Sequence, residues 1–246
     1  MASYAVHQLT AQRVREVLER DPRLVWPVGT LGFVAPHLPL GAGTRVAEAV
    51  ADRVCDALGL LRAPTLAFGV AAPDTCHHPG AAAMRRKTFH RALNEVLASW
   101  DAGGVREVVV VVYERLESYL EAVLTSLTPE ADVTVVDLRT IDVSDLVEDR
   151  PELERGGEID TSLMLHLAPE AVDTEGLVDY ETDARTARRY VQGRGGAPSP
   201  EVPGVVGHPR RASSETGRLI FERYVETVAN ALRAPATAVR GGTGLA

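Results

Sequence analysis

LVWPVGTLGFVAPHLPLGAGT, residues 24–44, is the stretch on which the reading of this chain turns. It opens as a short apolar strand, passes through a loop punctuated by Gly29, Gly32, Pro36, Pro39, Gly41 and Gly43, and hands over at Thr44 to a helical pattern. Glycine and proline at that density break regular structure, so the loop is bounded on both sides. The order strand, loop, helix puts the loop at the carboxyl end of a strand, where open α/β sheets usually take their ligands.

Outward from there the same alternation recurs. Downstream, Thr44 is a candidate cap for a helix to about residue 58, with Val46, Ala49, Val50, Val54 and Ala57 as its apolar stripe and Gly59 as its end. Upstream, Thr10 can cap a helix over 9–21 that turns Val14, Val17 and Leu18 inward. A second strand is predicted over 65–70, followed by the turn-rich loop PDTCHHPGAAAM at 73–84. Residues 88–100 read as a helix with Phe89, Leu93, Val96 and Leu97 inward. The five consecutive valines at 108–112 carry no alternation, as expected of a central strand covered on both faces.

A helix over 113–124, a strand over 133–138 and a helix over 159–167 continue the pattern. Residues 180–203 mix charge with glycine and proline and read as an extended surface loop or subunit contact. Ser213 or Ser214 caps a final helix with Phe221, Val225, Val228 and Leu232 on one face. The fold class is therefore α/β, a three-layer αβα sandwich with a mostly parallel central sheet. One domain over 1–233 is expected, followed by a disordered tail at 234–246 that lacks a core face.

Bulk properties narrow the function. The chain of 246 residues is 45% apolar and 24% charged, and no apolar run approaches the ~18–20 residues needed to span a bilayer, so no membrane association is expected. The N-terminus lacks a basic segment followed by an apolar one, which points to a cytoplasmic protein. Two cysteines, Cys55 and Cys76, ask for no disulfide framework. A net charge of -8 opposes nucleic-acid binding, and the basic run MRRKTFHR at 84–91 reads as a solvated helix start.

Three separated segments carry a resemblance. PVG followed by PHLPLG within residues 27–41 resembles the signature PVGSTEQHGPHLPLGTD of the creatininase (creatinine amidohydrolase) family. GGEIDTSLMLHLAPEAV is similar to that family's HAGExETSLML-P-E-V block, and GVVGHPRRASSETG is similar to its GVxGDPxxATxExG block. The segments occur in the family's order and span roughly residues 24–233. The resemblance implies an αβα domain, commonly a hexamer, in which two divalent metals activate water against a cyclic or linear amide.

Carried over residue by residue, the implied metal ligands are mostly replaced. Gly32 stands at a glutamate position, Val34 at a histidine, Gly43 at an aspartate, and Arg115, in YERLES, at the histidine of NGHGGN; Glu158 alone keeps a ligand-type side chain. A lone carboxylate beside a fixed guanidinium does not retain two ions, so no metal and no cofactor are expected. The alternative is a relocated mononuclear zinc or manganese site drawing on His37, Cys76, His77 and His78. His166, at an apolar position of the block, and His208, where the family has the Asp of its GDP turn, read as structural.

The expected catalytic set is Glu158 as general acid/base with Arg115, Tyr113 and Glu114, at the carboxyl end of the central strand. Substrate contacts are expected from His37, Cys76, His77, His78 and Asp160. Three functions follow: metal-independent chemistry on a small amide, lactam or amine; a non-catalytic subunit pairing with an active homologue, in which Arg115 and Glu158 form an ion pair; or a metal-free binding protein for a small ligand. The expected partners are a small-molecule substrate or ligand and either further copies of the chain or a homologue.

Overall fold

The first helix starts where the sequence says it should. The Thr10 hydroxyl accepts the amide N–H of Arg13 at 3.3 Å, and α1 runs Ala11–Arg20. The computed structural model describes residues 4–72, 77–126, 128, 130–199, 201 and 204–233. After β1 (Arg23–Pro27) comes the Gly/Pro loop, and then α2 (Ala42–Leu58), closed by Gly59 at φ 70°, whose N–H reaches the Cys55 carbonyl. Thr44 is not the cap of α2. The helix begins two residues earlier behind Gly41, and the Thr44 hydroxyl instead donates to the Thr30 carbonyl at 3.0 Å, tying helix to loop.

Next come β2 (Leu61–Arg62), α3 (Arg86–Ala102), β3 (Glu107–Val112), α4 (Glu117–Leu124) and β4 (Asp132–Asp137). The strand expected over 65–70 is replaced by the two-residue β2, and residues 65–70 make only isolated bridges, Val28 with Leu66 and Thr30 with Phe68. Residues 113–116 remain loop before α4, because the Glu114 carboxylate accepts the amide N–H groups of Arg115 and Leu116 at 2.9 and 3.3 Å and holds them out of a helical turn. Helices α5 (Glu158–Leu167), α6 (Ala184–Val191) and α7 (Ser214–Leu232) follow. Helix α6 interrupts the region expected to be a loop; Asp183 caps it by accepting from Arg185 and Thr186. Ser213 caps α7, accepting from Thr216. The expected tail, 234–246, lies outside the described residues.

The four strands are all parallel in the order β2-β1-β3-β4, so the valine strand is interior. Its side chains alternate faces with the period of two that a pleated strand imposes. Val109 and Val111 join a cluster with Val46 and Val50 of α2, Leu163 of α5 and Tyr224 of α7. Val108, Val110 and Val112 join Val17 of α1, Phe89 and Leu93 of α3 and Tyr119 of α4. Two apolar layers therefore sandwich the sheet, which is the expected αβα architecture. No helix among the described residues is long and apolar enough to cross a membrane.

Candidate active site at the carboxyl edge of the sheet

The parallel strands β1, β3 and β4 release their chains toward one edge, and the loops that follow them enclose a cavity of about 60 Å³. Thr30, Gly32, Phe33 and Val34 come from the loop after β1, Tyr113, Glu114 and Arg115 from the loop after β3, and Arg139 from just beyond β4. Gly43 of α2 and Asp160 of α5 line it too, as do Glu154 and Arg155 from the loop before α5.

Its floor is a closed network of ions. Arg139 pairs with Asp160 and, at 3.3 Å, with Glu154, and its guanidinium lies 3.9 Å from the centre of the Tyr113 ring. The Tyr113 hydroxyl donates to the same Asp160 oxygen at 2.7 Å, while the other Asp160 oxygen accepts the Gly156 N–H at 2.8 Å. Glu154 accepts the N–H groups of Gly157 at 2.7 Å and Asp160 at 3.3 Å. The two carboxyls share Arg139 but titrate apart. Burial and the neighbouring Asp160 push Glu154 up to about 7, whereas the Arg139 charge and the Tyr113 hydroxyl hold Asp160 below the ordinary carboxylate range despite its burial.

Arg115 stands differently. Its guanidinium donates to the Pro151 carbonyl, it makes no ion pair among the described residues, and burial and the Arg139 charge lower its pKa. The ion pair weighed between Arg115 and Glu158 does not form. The Glu158 carboxylate accepts the amide N–H groups of Glu148 and Asp149 at 2.8 and 2.9 Å, where it fastens the 148–149 loop, and Glu158 is not among the residues lining the cavity.

The remaining expected contacts scatter. His37 is buried, with Nε2 2.8 Å from the Thr161 hydroxyl, and burial lowers its pKa. His78 stacks on Phe33, rings 3.7 Å apart and 9° from parallel, while His77 is exposed and Cys76 lies outside the described residues. No group of three or more metal-binding side chains converges among the described residues. His208 lies in a second cleft, of about 360 Å³, with Nδ1 against Asp149 and Nε2 3.0 Å from Glu181; Glu154 lines both clefts.

Three groups that sequence reading did not single out, Arg139, Glu154 and Arg155, thus sit in the cavity. For Arg155 a signal exists: extending the HAGE frame by one residue from GGE places it at the block's histidine. Of the five positions that the resemblance makes metal ligands, Gly32, Val34, Gly43 and Arg115 line the cavity and Glu158 does not. Three of these offer no donor side chain. At Gly43 a Cβ would fall 2.8 Å from the Tyr113 carbonyl oxygen, closer than carbon and oxygen pack, so this backbone has no room for a larger residue there.

A parallel αβα sheet with polar loops closing over its carboxyl edge defines the class as a three-layer α/β scaffold of the kind that takes ligands at that edge. The creatininase model, described as creatinine amidohydrolase, matches residues 7–232, and the chain belongs to that family. It is 27% identical over 234 residues to creatinine amidohydrolase of Pseudomonas putida, covering 87% of this chain and 89% of that protein. It is 26% identical over 226 residues to the mycofactocin precursor peptide peptidase of Mycolicibacterium smegmatis, covering 89% and 87%. A crystal structure of creatinine amidohydrolase superposes with a TM-score of 0.77 at 25% identity, covering 94% of this chain and 97% of that one.

Proposed function

We propose that this protein is a creatininase-family hydrolase that cleaves the C–N bond of a small amide or lactam without a pair of bound metal ions. The observation that carries the reading is the content of the carboxyl-edge cavity: glycine, valine and arginine at the implied ligand positions, and a buried Arg139–Asp160–Glu154 network beside them. That donor set does not fit two divalent cations. Its carboxylates are already matched to a guanidinium, and Arg115 puts a second fixed cation in the same space.

The roles follow from the charges. Glu154, buried and poised near neutral pH, takes the acid/base part expected of Glu158, whose carboxylate is occupied at the 148–149 loop. As water oxygen adds to the amide carbon, Glu154 accepts its proton, and the negative charge gathering on the carbonyl oxygen is offset by the cations that line the cavity. The C–N bond then breaks, the proton passes from Glu154 to the leaving nitrogen, and a carboxylic acid and an amine result. Asp160, fixed by Tyr113 and Arg139, stays ionised and prevents Glu154 from giving up its proton too easily.

A panel of small amides and lactams, assayed for amine release with chelator-treated protein, tests this. Turnover that disappears in Glu154→Gln and persists in Glu158→Gln is the expected result. A second reading is a non-catalytic subunit, favoured by glycine and valine at implied ligand positions and by carboxylates already tied to Arg139. Absence of turnover, together with stable co-purification of a metal-loaded homologue, would select it.

A further inference from the structure

The Nε–H groups of Arg115, Arg139 and Arg155 are buried and have no hydrogen-bond partner among the described residues. All three arginines line the one cavity. A buried charged donor without an acceptor costs roughly 1–3 kcal/mol or more, and Arg115 and Arg155 are only partly buried, so the rest of each guanidinium can meet a ligand in the cavity. Two of them also lack an acidic partner among the described residues. Arg115 gives one bond to the Pro151 carbonyl, and Arg155 gives one to the Phe33 carbonyl at 2.9 Å while lying 5.4 Å from the Tyr190 ring centre.

We infer that the substrate of this cavity carries a carboxylate, which Arg115 and Arg155 receive. The inference rests on the hydrolase reading above and adds the substrate's charge to it. Guanidinium groups suit a carboxylate because their donors match its two oxygens in one plane. The acidic side chains lining the cavity do not oppose such a ligand. Asp160 is matched by Arg139, Glu114 is occupied by the N–H groups of Arg115 and Leu116, and Glu154 is taken up by Arg139 and the N–H groups of Gly157 and Asp160.

Calorimetric titration with two probes of one shape tests this: malonamate, with one carboxylate and one amide, and malonamide, with two amides. Malonamate is expected to bind about ten- to hundredfold more tightly. In Arg115→Gln and Arg155→Gln the ratio of malonamate to malonamide affinity should shrink, and Arg115→Lys should restore part of it. A circular dichroism spectrum matching that of the parent shows that each variant is folded. Equal affinities, no malonamate binding at millimolar concentration, or a preference that survives in both folded glutamine variants would each overturn the inference. Amine release is followed in parallel. Preferential malonamate binding without turnover of any amide leaves the carboxylate site standing and removes the hydrolase reading; turnover of neutral amides with no charge preference does the reverse.

Discussion

Tyr113 and Asp160 meet at 2.7 Å beneath the carboxyl edge of the sheet, the phenol donating to a carboxylate oxygen that also receives the Arg139 guanidinium. Tyr113 ends the valine strand and Asp160 lies in the first turn of α5, so this contact joins the central strand to the helix that closes the cavity. It also explains why Asp160 stays charged in a site where burial alone would protonate it.

Removing the shared cation should therefore be costly. In Arg139→Met, Asp160 and Glu154 lose their common partner while remaining buried, and the expected loss is about 3–5 kcal/mol of folding stability near neutral pH. Denaturant titration of the variant measures it. A loss below about 1 kcal/mol would mean that solvent reaches the pair.

The pH dependence of stability has a definite sign. Burial raises Glu154 from near 4.5 to about 7 and Asp137 from near 3.8 to about 6, so between those limits the folded protein binds protons that the unfolded chain has released. Stability from these groups is present below their unfolded values and falls as pH rises through about 6 to about 7. Asp160 works oppositely, losing stability only as pH falls below the ordinary aspartate range. Glu154→Gln should flatten the decline from about pH 4.5 to about pH 7, read from denaturation midpoints across that window. An unchanged slope would place the titration elsewhere.

Gly217 allows α7 to lie against α5. A Cβ there would run into the Ser162 carbonyl and reach within 3.0 Å of the His166 Cβ, and neither backbone nor helix can give way cheaply. Gly217→Ala is expected to destabilise the protein by about 1–3 kcal/mol even though alanine is the better helix former. Thermal unfolding of the variant decides between the two effects, and a stabilised protein would show that the helices separate freely.

Much of this was legible in residue order, for identifiable reasons. The valine run could only be an interior strand, because five unalternating β-branched residues need cover on both faces. Thr10, Gly59 and Ser213 act as helix ends because a hydroxyl acceptor or a left-handed glycine satisfies backbone groups locally. Local patterns failed where tertiary contact decided. Thr44 has the chemistry of a cap but is claimed by the Thr30 carbonyl, and β2 is too short to show any period. Helix α6 hides among arginines, though Asp183 and the spacing of Ala187, Tyr190 and Val191 mark it.

The site was legible in position and less so in membership. Family motifs brought Gly32, Val34, Gly43, Arg115 and Asp160 to one place, and they do line one cavity. Glu154 has no local signature: only the fold brings it beside Asp160, and its acid/base candidacy comes from burial, which a loop residue's neighbours in sequence do not report.

In the proposed function a creatininase-family scaffold performs its chemistry with guanidinium groups where the implied metal ligands would stand. Elemental analysis of the purified protein, joined to amine-release rates before and after chelation, tests it most directly. Zinc and manganese are expected far below one equivalent, with a rate that the chelator leaves unchanged. Two tightly held ions per chain, or a rate lost on chelation and regained only when metal is returned, would contradict it.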